Sequence, residues 1–156
     1  MTNTDLLING AQEFGIDLDE KQRQQFFKYM DLLVKWNEKI NLTAIVDEES
    51  IIIKHFLDSI SCTTIPSVKK DSKVIDIGTG AGFPGLPIKI CYPDTSLTLL
   101  DSLNKRVQFL EIIGERLGLS NIYYEHGRAE DFGQKKGFRE NYDIATARAV
   151  AHLNIL

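Results

Sequence analysis

The chain has 156 residues, enough for one domain or for one domain with a small additional lobe. Its content of 43% hydrophobic and 26% charged residues is that of a folded globular protein and excludes a disordered or fibrous chain, and no apolar run approaches the ~20 residues that span a bilayer. A formal net charge of −4 means that any contact with nucleic acid must be local.

The start, MTNTDLL, lacks a basic stretch followed by an apolar core, so no secretory signal is expected and the protein reads as cytoplasmic. Residues 5–14 read as a short helix with Leu6, Leu7 and Ala11 as its apolar positions, ended by Gly15. Asp19 then caps a longer helix with Gln22 three positions on, the pattern of a capping box. Phe26, Met30, Leu33 and Ile40 follow at helical spacing, widened by Phe27 and Val34, and this stripe reads as core. A third helix is expected from Asp47 to about Ile60, carrying Ile52, Ile53, Phe56, Leu57 and Ile60. Residues 1–65 thus read as a helical lobe without a strand signal. Two polar sets interrupt it, WNEKINLT from Trp36 and HFLDS from His55. Their plain reading is a helix C-cap at Asn41 and a surface pair of His55 and Asp58 sharing a helix face. The two cysteines, Cys62 and Cys91, have no metal-ligand spacing and read as buried free thiols, and no metal site is expected.

Pro66 and the run Lys69-Lys70-Asp71-Ser72 form a polar connection into a second part, residues 66–156. Strands are expected at about 73–77, 97–100, 121–125 and 142–147. The first intervening helix ends near Pro93. The second is capped by Ser102, turns Val107, Leu110, Ile113 and Leu117 inward, and ends with Gly118 at C′. Strands alternating with helices imply an α/β fold with a parallel, doubly wound sheet.

The chemistry concentrates at the strand ends. After the first strand comes Asp76-Ile77-Gly78-Thr79-Gly80-Ala81-Gly82-Phe83-Pro84-Gly85. Glycines there permit positive φ and close approach of a ligand, and the next helix opens with free N–H groups. Gly80, Gly82 and Gly85 fit the G-x-G-x-x-G of a dinucleotide-binding loop, the basis of a nicotinamide-dependent oxidoreductase reading. Asp76 ahead of Gly78, Gly80 and Gly82 fits instead D-x-G-x-G-x-G, which resembles motif I of class I S-adenosylmethionine methyltransferases. The carboxylate favours the second, because it suits a cationic amino-acid ligand and opposes a pyrophosphate. Asp101 stands at the next strand end, 19 positions after Gly82, where an acid accepts hydrogen bonds from ribose hydroxyls. Gly127-Arg128-Ala129-Glu130-Asp131 follows the third strand and could edge an adenine ring. Arg148 closes the fourth and points at the same crevice.

Taken together, WNEKINLTAI, KHFLDSI, VIDIGTGAGFPGLPIKI, LLDSLNKRVQFL, GRAEDF and YDIATARAVA resemble, in order and over essentially the whole chain, the RsmG (GidB) family of bacterial 16S rRNA guanine-N7 methyltransferases. The resemblance implies a Rossmann-like class I methyltransferase domain with strand order 3-2-1-4, using S-adenosyl-L-methionine. It implies cofactor contacts at Gly78, Phe83, Ala129, Glu130 and Arg148; Asp76, Gly80 and Asp101 join them from the general motif. No catalytic side chain is assigned. The implied partner is 16S rRNA or the small ribosomal subunit, lying near the lobe and the basic spots Lys105-Arg106, Lys135-Lys136-Arg139 and Arg148, with a monomer expected for the full-length protein. Family members carry three further strands after the point where this chain stops. The fourth strand is therefore expected to be an open edge, with the cofactor crevice mostly encoded here and the wall that holds the target base largely beyond it. A cofactor-binding module without full activity is the alternative reading.

Overall fold

The computed structural model of the chain describes residues 1–66, 68, 70–134 and 141–148; Lys69, Lys135, Lys136 and Arg139, singled out above, lie outside them. β1 (Lys73–Ile77), β2 (Ser96–Asp101), β3 (Ile122–His126) and β4 (Ile144–Ala147) are all parallel, in the order β3-β2-β1-β4 that the resemblance implied. β1 is central: Val74 pairs with Leu97 on one side and with Ile144 on the other. A strand covered in this way needs no polar alternation, and Val74, Ile75 and Asp76 are all buried. β4 starts two residues later than expected. Asp143 instead clamps the start of β1, accepting from the Lys73 N–H through Oδ2 (2.9 Å) and donating its own N–H to Lys73 O (2.8 Å).

Three helical segments precede the sheet. α1 (Asn3–Glu13) and α2 (Glu20–Asn37) both open with capping boxes, Thr2 with Asp5 and Asp19 with Gln22. α2 stops at Asn37, four residues before the expected cap at Asn41. The Asn37 side chain decides this: Oδ1 accepts from the N–H groups of Leu42 (2.8 Å) and Thr43 (2.9 Å), and Nδ2 donates to Thr43 O (2.9 Å). The loop is thereby folded onto the helix end, and Ile40, beyond the last helical residue, still packs against the core. The third rod begins as α3 (Glu48–Ser50), widens into a π helix (Ile51–Leu57), resumes as α4 (Asp58–Ile60) and finishes in a 3-10 turn (Ser61–Thr64). The wide turns begin at three consecutive β-branched isoleucines, which fit tight helical turns poorly. They also turn His55 inward, so His55 is buried rather than at the surface.

α5 (Gly85–Cys91) joins β1 to β2, α6 (Asn104–Arg116) joins β2 to β3, and α7 (Ala129–Gln134) follows β3. α6 begins one residue later than a Ser102 cap would give, because Asp101 Oδ1 takes the Leu103 N–H (2.9 Å). Its inward set, Val107, Leu110, Ile113 and Leu117, is buried as expected, joined by Phe109. One apolar core runs without a break from Leu7 and Ala11 in the lobe to Leu110 and Ile113 in α6. α2 lies against both α5 and α6 and satisfies their terminal carbonyls. Gln22 Nε2 donates to Ile90 O (2.9 Å) and Gln25 Nε2 to Leu117 O (2.9 Å).

Of the cysteines, Cys91 is buried and its thiol pKa is pushed up to about 12 by that burial, whereas Cys62 is only half-buried, within the 3-10 turn; both are free. Lys89 is a buried cation that periodicity does not reveal. Its Nζ donates to Pro93 O (2.6 Å) and to Thr95 O, fastening the turn between α5 and β2. Lys89→Met keeps the stem but strands both carbonyls. The expected loss is roughly 1–3 kcal/mol of unfolding free energy, measured by urea denaturation.

Candidate cofactor-binding crevice

The loop between β1 and α5 is held in shape by two carboxylates. Asp76 is fully buried, and its Oδ2 accepts from the Thr79 hydroxyl (2.7 Å) and the Gly85 N–H (2.8 Å) while Oδ1 accepts from the Thr146 hydroxyl (3.2 Å). Burial raises its pKa to about 7 against the pull of these donors. Asp101 is also buried. Its Oδ2 accepts from the Gly80 N–H (2.8 Å), and Arg106 Nη1 lies 3.7 Å from Oδ1.

Two glycines allow this packing. Gly85 lets Asp76 reach the first turn of α5, since a Cβ there would sit 2.8 Å from Asp76 Oδ2. Gly82 has φ 104, and a Cβ there would sit 2.5 Å from the Tyr29 hydroxyl. Tyr29 is fully buried in α2 and donates that hydroxyl to Ala81 O (2.5 Å), so the lobe grips the loop directly.

A cleft of about 280 Å³ opens on one side of the loop, at the carboxyl ends of β1, β2 and β3. Gly78, Asp101, Ala129 and Glu130 line it, together with the apolar Ile77 and Leu100. The Gly127 N–H donates to Asp101 O (3.0 Å), tying the third strand end to the second. Four of the eight residues singled out in the sequence thus share one cleft. Gly80 braces Asp101, and Asp76 lies beneath the loop rather than on the cleft wall.

The remaining two, Phe83 and Arg148, lie together at the lobe. Phe83 is buried; its ring stacks on His55 (centroids 4.3 Å apart, 4° between planes) and on Tyr29 (5.4 Å, 19°). The Arg148 guanidinium lies 5.5 Å from the Phe83 ring centroid. Its Nη2 donates to His55 Nδ1 (3.1 Å), its Nη1 donates to Ser59 Oγ (3.1 Å), and Asp58 Oδ2 is 3.5 Å away. Because Arg148 can only donate, His55 Nδ1 must accept, which puts the ring proton on Nε2, facing Thr43 Oγ1 (2.8 Å). Burial, and then the Arg148 charge, lower the His55 pKa to about 4, with Asp58 opposing them.

The polar sets read as plain surface features therefore meet at this point. Asn37 shapes the loop that presents Thr43, Thr43 anchors His55, and His55 meets Phe83 and Arg148. Sequence reasoning missed Tyr29, Thr79 and this use of Thr43 and His55. The one available signal was the density of polar residues at fixed spacing within otherwise apolar helices.

The similarity to known proteins follows the whole chain. Ribosomal RNA small subunit methyltransferase G of Alkaliphilus metalliredigens is 54% identical over 151 residues, covering 97% of this chain and 63% of the relative. The protein of the same name from Streptococcus thermophilus is 53% identical over 157 residues, covering 100% of this chain and 66% of the relative. The chain thus spans just under two thirds of the length of these curated relatives. The family model described as rRNA small subunit methyltransferase G (GidB) matches residues 22–156, and with these identities the chain belongs to that family.

Proposed function

We propose that the crevice beside Gly78 binds S-adenosylmethionine and that the protein serves transfer of its methyl group to N7 of a guanine in 16S rRNA. The observation that carries this reading is the cleft lined by Gly78, Asp101, Ala129 and Glu130 in a chain of this family. Its residues fit the nucleoside part of the cofactor. Asp101 offers a carboxylate to ribose hydroxyls, the backbone at Gly78 has no side chain to block approach, and Ile77, Leu100 and Ala129 provide apolar edges for a purine.

The buried Asp76 bears on the oxidoreductase alternative. A dinucleotide-binding loop directs its pyrophosphate at the first N–H groups of the following helix. Here the Gly85 N–H is taken by the Asp76 carboxylate, and the Leu86 N–H donates to Gly82 O (2.8 Å). An anion arriving there would have to displace the Asp76 carboxyl group from the Gly85 N–H. This argues against a pyrophosphate at the start of α5.

When bound, the cofactor supplies a methyl group already activated by its sulfonium. Guanine N7 carries a free lone pair, so no proton has to be removed before attack and no general base is required. The protein contributes alignment. An arginine on N7 would cover the attacking atom; the anchoring of Arg148 by His55, Ser59 and Asp58 keeps its guanidinium at the lobe.

The test is calorimetric titration of this chain with S-adenosylmethionine and, separately, with NAD, followed by a methyl-transfer assay on small-subunit rRNA beside a whole relative. Binding of the sulfonium nucleoside alone is expected. Asp101→Asn is expected to weaken it by about tenfold, through loss of a charged acceptor. Heat released by NAD and none by S-adenosylmethionine would refute the reading; binding without methyl transfer would leave a cofactor-binding module.

A further inference from the structure

We infer that His55 is a positioning residue for the cofactor: one imidazole fixes Phe83 through its face and Arg148 through its edge, the two residues of the expected cofactor set that stand outside the cleft beside Gly78. The inference rests on the cofactor reading above and assigns to that site a residue outside the glycine loop and the strand ends.

A buried histidine in a helical lobe is ordinarily a satisfied core residue, and three observations set this one apart. First, its ring makes two different contacts to two different elements. It lies parallel to Phe83 of the loop, 4.3 Å between centroids, and it accepts from Arg148, which follows β4 (3.1 Å). Second, β1 and β4 are adjacent in the sheet although not in sequence, so the chain reverses its direction of sheet building between them. Ligands of open α/β sheets bind at such a reversal. His55 touches both sides of this position, Phe83 in the loop after β1 and Arg148 after β4. Third, the ring is held in one protonation pattern. Thr43 Oγ1 takes the Nε2 proton and also accepts from the Ile45 N–H (3.1 Å), leaving Nδ1 as the acceptor that Arg148 needs. A wide helical turn, of the kind common at functional sites, brings His55 there together with Ser59, whose hydroxyl receives Arg148 and donates to His55 O (2.5 Å).

The charged and titratable groups around the ring all come from named elements. Arg148 follows β4, Asp58 lies on the same helical rod, Tyr29 stacks on Phe83 from α2, and Asp76 lies in β1 beneath the loop. A proton on Nδ1 would point an N–H at the guanidinium. Arg148 would then leave, and the Phe83 ring would lose the cation above it.

The experiment measures S-adenosylmethionine affinity by calorimetry, with thermal melts to establish folding. His55→Phe keeps a ring against Phe83 but removes the acceptor for Arg148. His55→Gln keeps an acceptor but removes the stack. Each is expected to weaken binding by about tenfold while the variant remains folded. Thr43→Val, which frees the tautomer, is expected to weaken it by about threefold, with Thr43→Ser restoring it. If the wild type binds and folded His55→Phe and Thr43→Val bind equally well, the inference is overturned and His55 is only a core residue. If the wild type binds no S-adenosylmethionine, the cofactor reading fails on its own. The geometry is then decided by 15N NMR of the histidine ring. A proton on Nε2 in the wild type, with the Nδ1 shift moving in Arg148→Gln, is the expected result, and a proton on Nδ1 overturns the inference.

Discussion

Gly82→Ala is expected to lower the melting temperature by roughly 5–15 °C and to weaken cofactor binding in the same variant. Two costs combine at this position. At φ 104 an L side chain is strained, which costs about 1–3 kcal/mol. The new methyl would also sit 2.5 Å from the Tyr29 hydroxyl and 2.6 Å from Leu86 Cδ1. Tyr29 cannot swing away, because it is fully buried, stacked on Phe83 and hydrogen-bonded to Ala81 O. Overpacking of this kind typically adds about 1–3 kcal/mol. Gly80→Ala supplies the control. Its φ of 59 is also left-handed, but a Cβ there has nothing within 4 Å, so only the backbone cost of about 1–2 kcal/mol applies. Differential scanning calorimetry of the two variants separates the effects. Equal melting temperatures would show that the close approach of α2 to the loop does not matter.

Asp76→Asn is expected to stabilise the protein at pH 8 relative to pH 5, by on the order of a few kcal/mol in the difference between variant and wild type. The folded Asp76 titrates at about 7 against an ordinary value of 3.8, and burial is the main cause. A raised carboxylate pKa means that the folded state holds the proton more tightly than the unfolded state. The stability this group contributes is therefore full below pH 3.8 and is lost as pH rises toward 7. An asparagine has the same shape and no ionisation cost. Its Oδ1 can accept from Gly85 and Thr79, and its amide can donate to the Thr146 hydroxyl. His55 acts in the opposite direction. Its folded pKa, lowered from 6.5 to about 4, gives stability that is present above 6.5 and lost as pH falls toward 4. The difference between variant and wild type isolates Asp76 from this background. Urea titrations at pH 5, 6, 7 and 8 measure it, and a flat difference would show that Asp76 ionises freely in the folded protein.

The two carboxylates also mark where local pattern stops being sufficient. From sequence, Asp76 and Asp101 are equivalent acids at neighbouring strand ends, both suited to a ligand. In the fold Asp101 opens on the cleft, whereas Asp76 is sealed under the loop and occupies the helix start that an anion would otherwise take. Strand alternation points each of them to a face but does not say how far the following loop folds back. That depends on Gly85 and on the hydroxyls of Thr79 and Thr146, the last from a strand 70 positions away.

Elements set by near neighbours were readable in the chain itself. The capping box at Asp19 and Gln22, the inward face of α6, the turn at Gly118 and the alternation of strands with helices all follow from side-chain spacing and backbone preference within a few residues. The lobe's contribution was not readable. Asn41 looked like a helix end and His55 a surface residue, because the expected geometry was a regular α helix. The Asn37 side chain, the wide turn from Ile51 to Leu57 and the arrival of Arg148 changed both. Local sequence determined which segments became helix, strand and glycine turn. Only the tertiary structure decided which polar groups met, since a buried hydrogen bond depends on partners that chain folding brings together from distant positions.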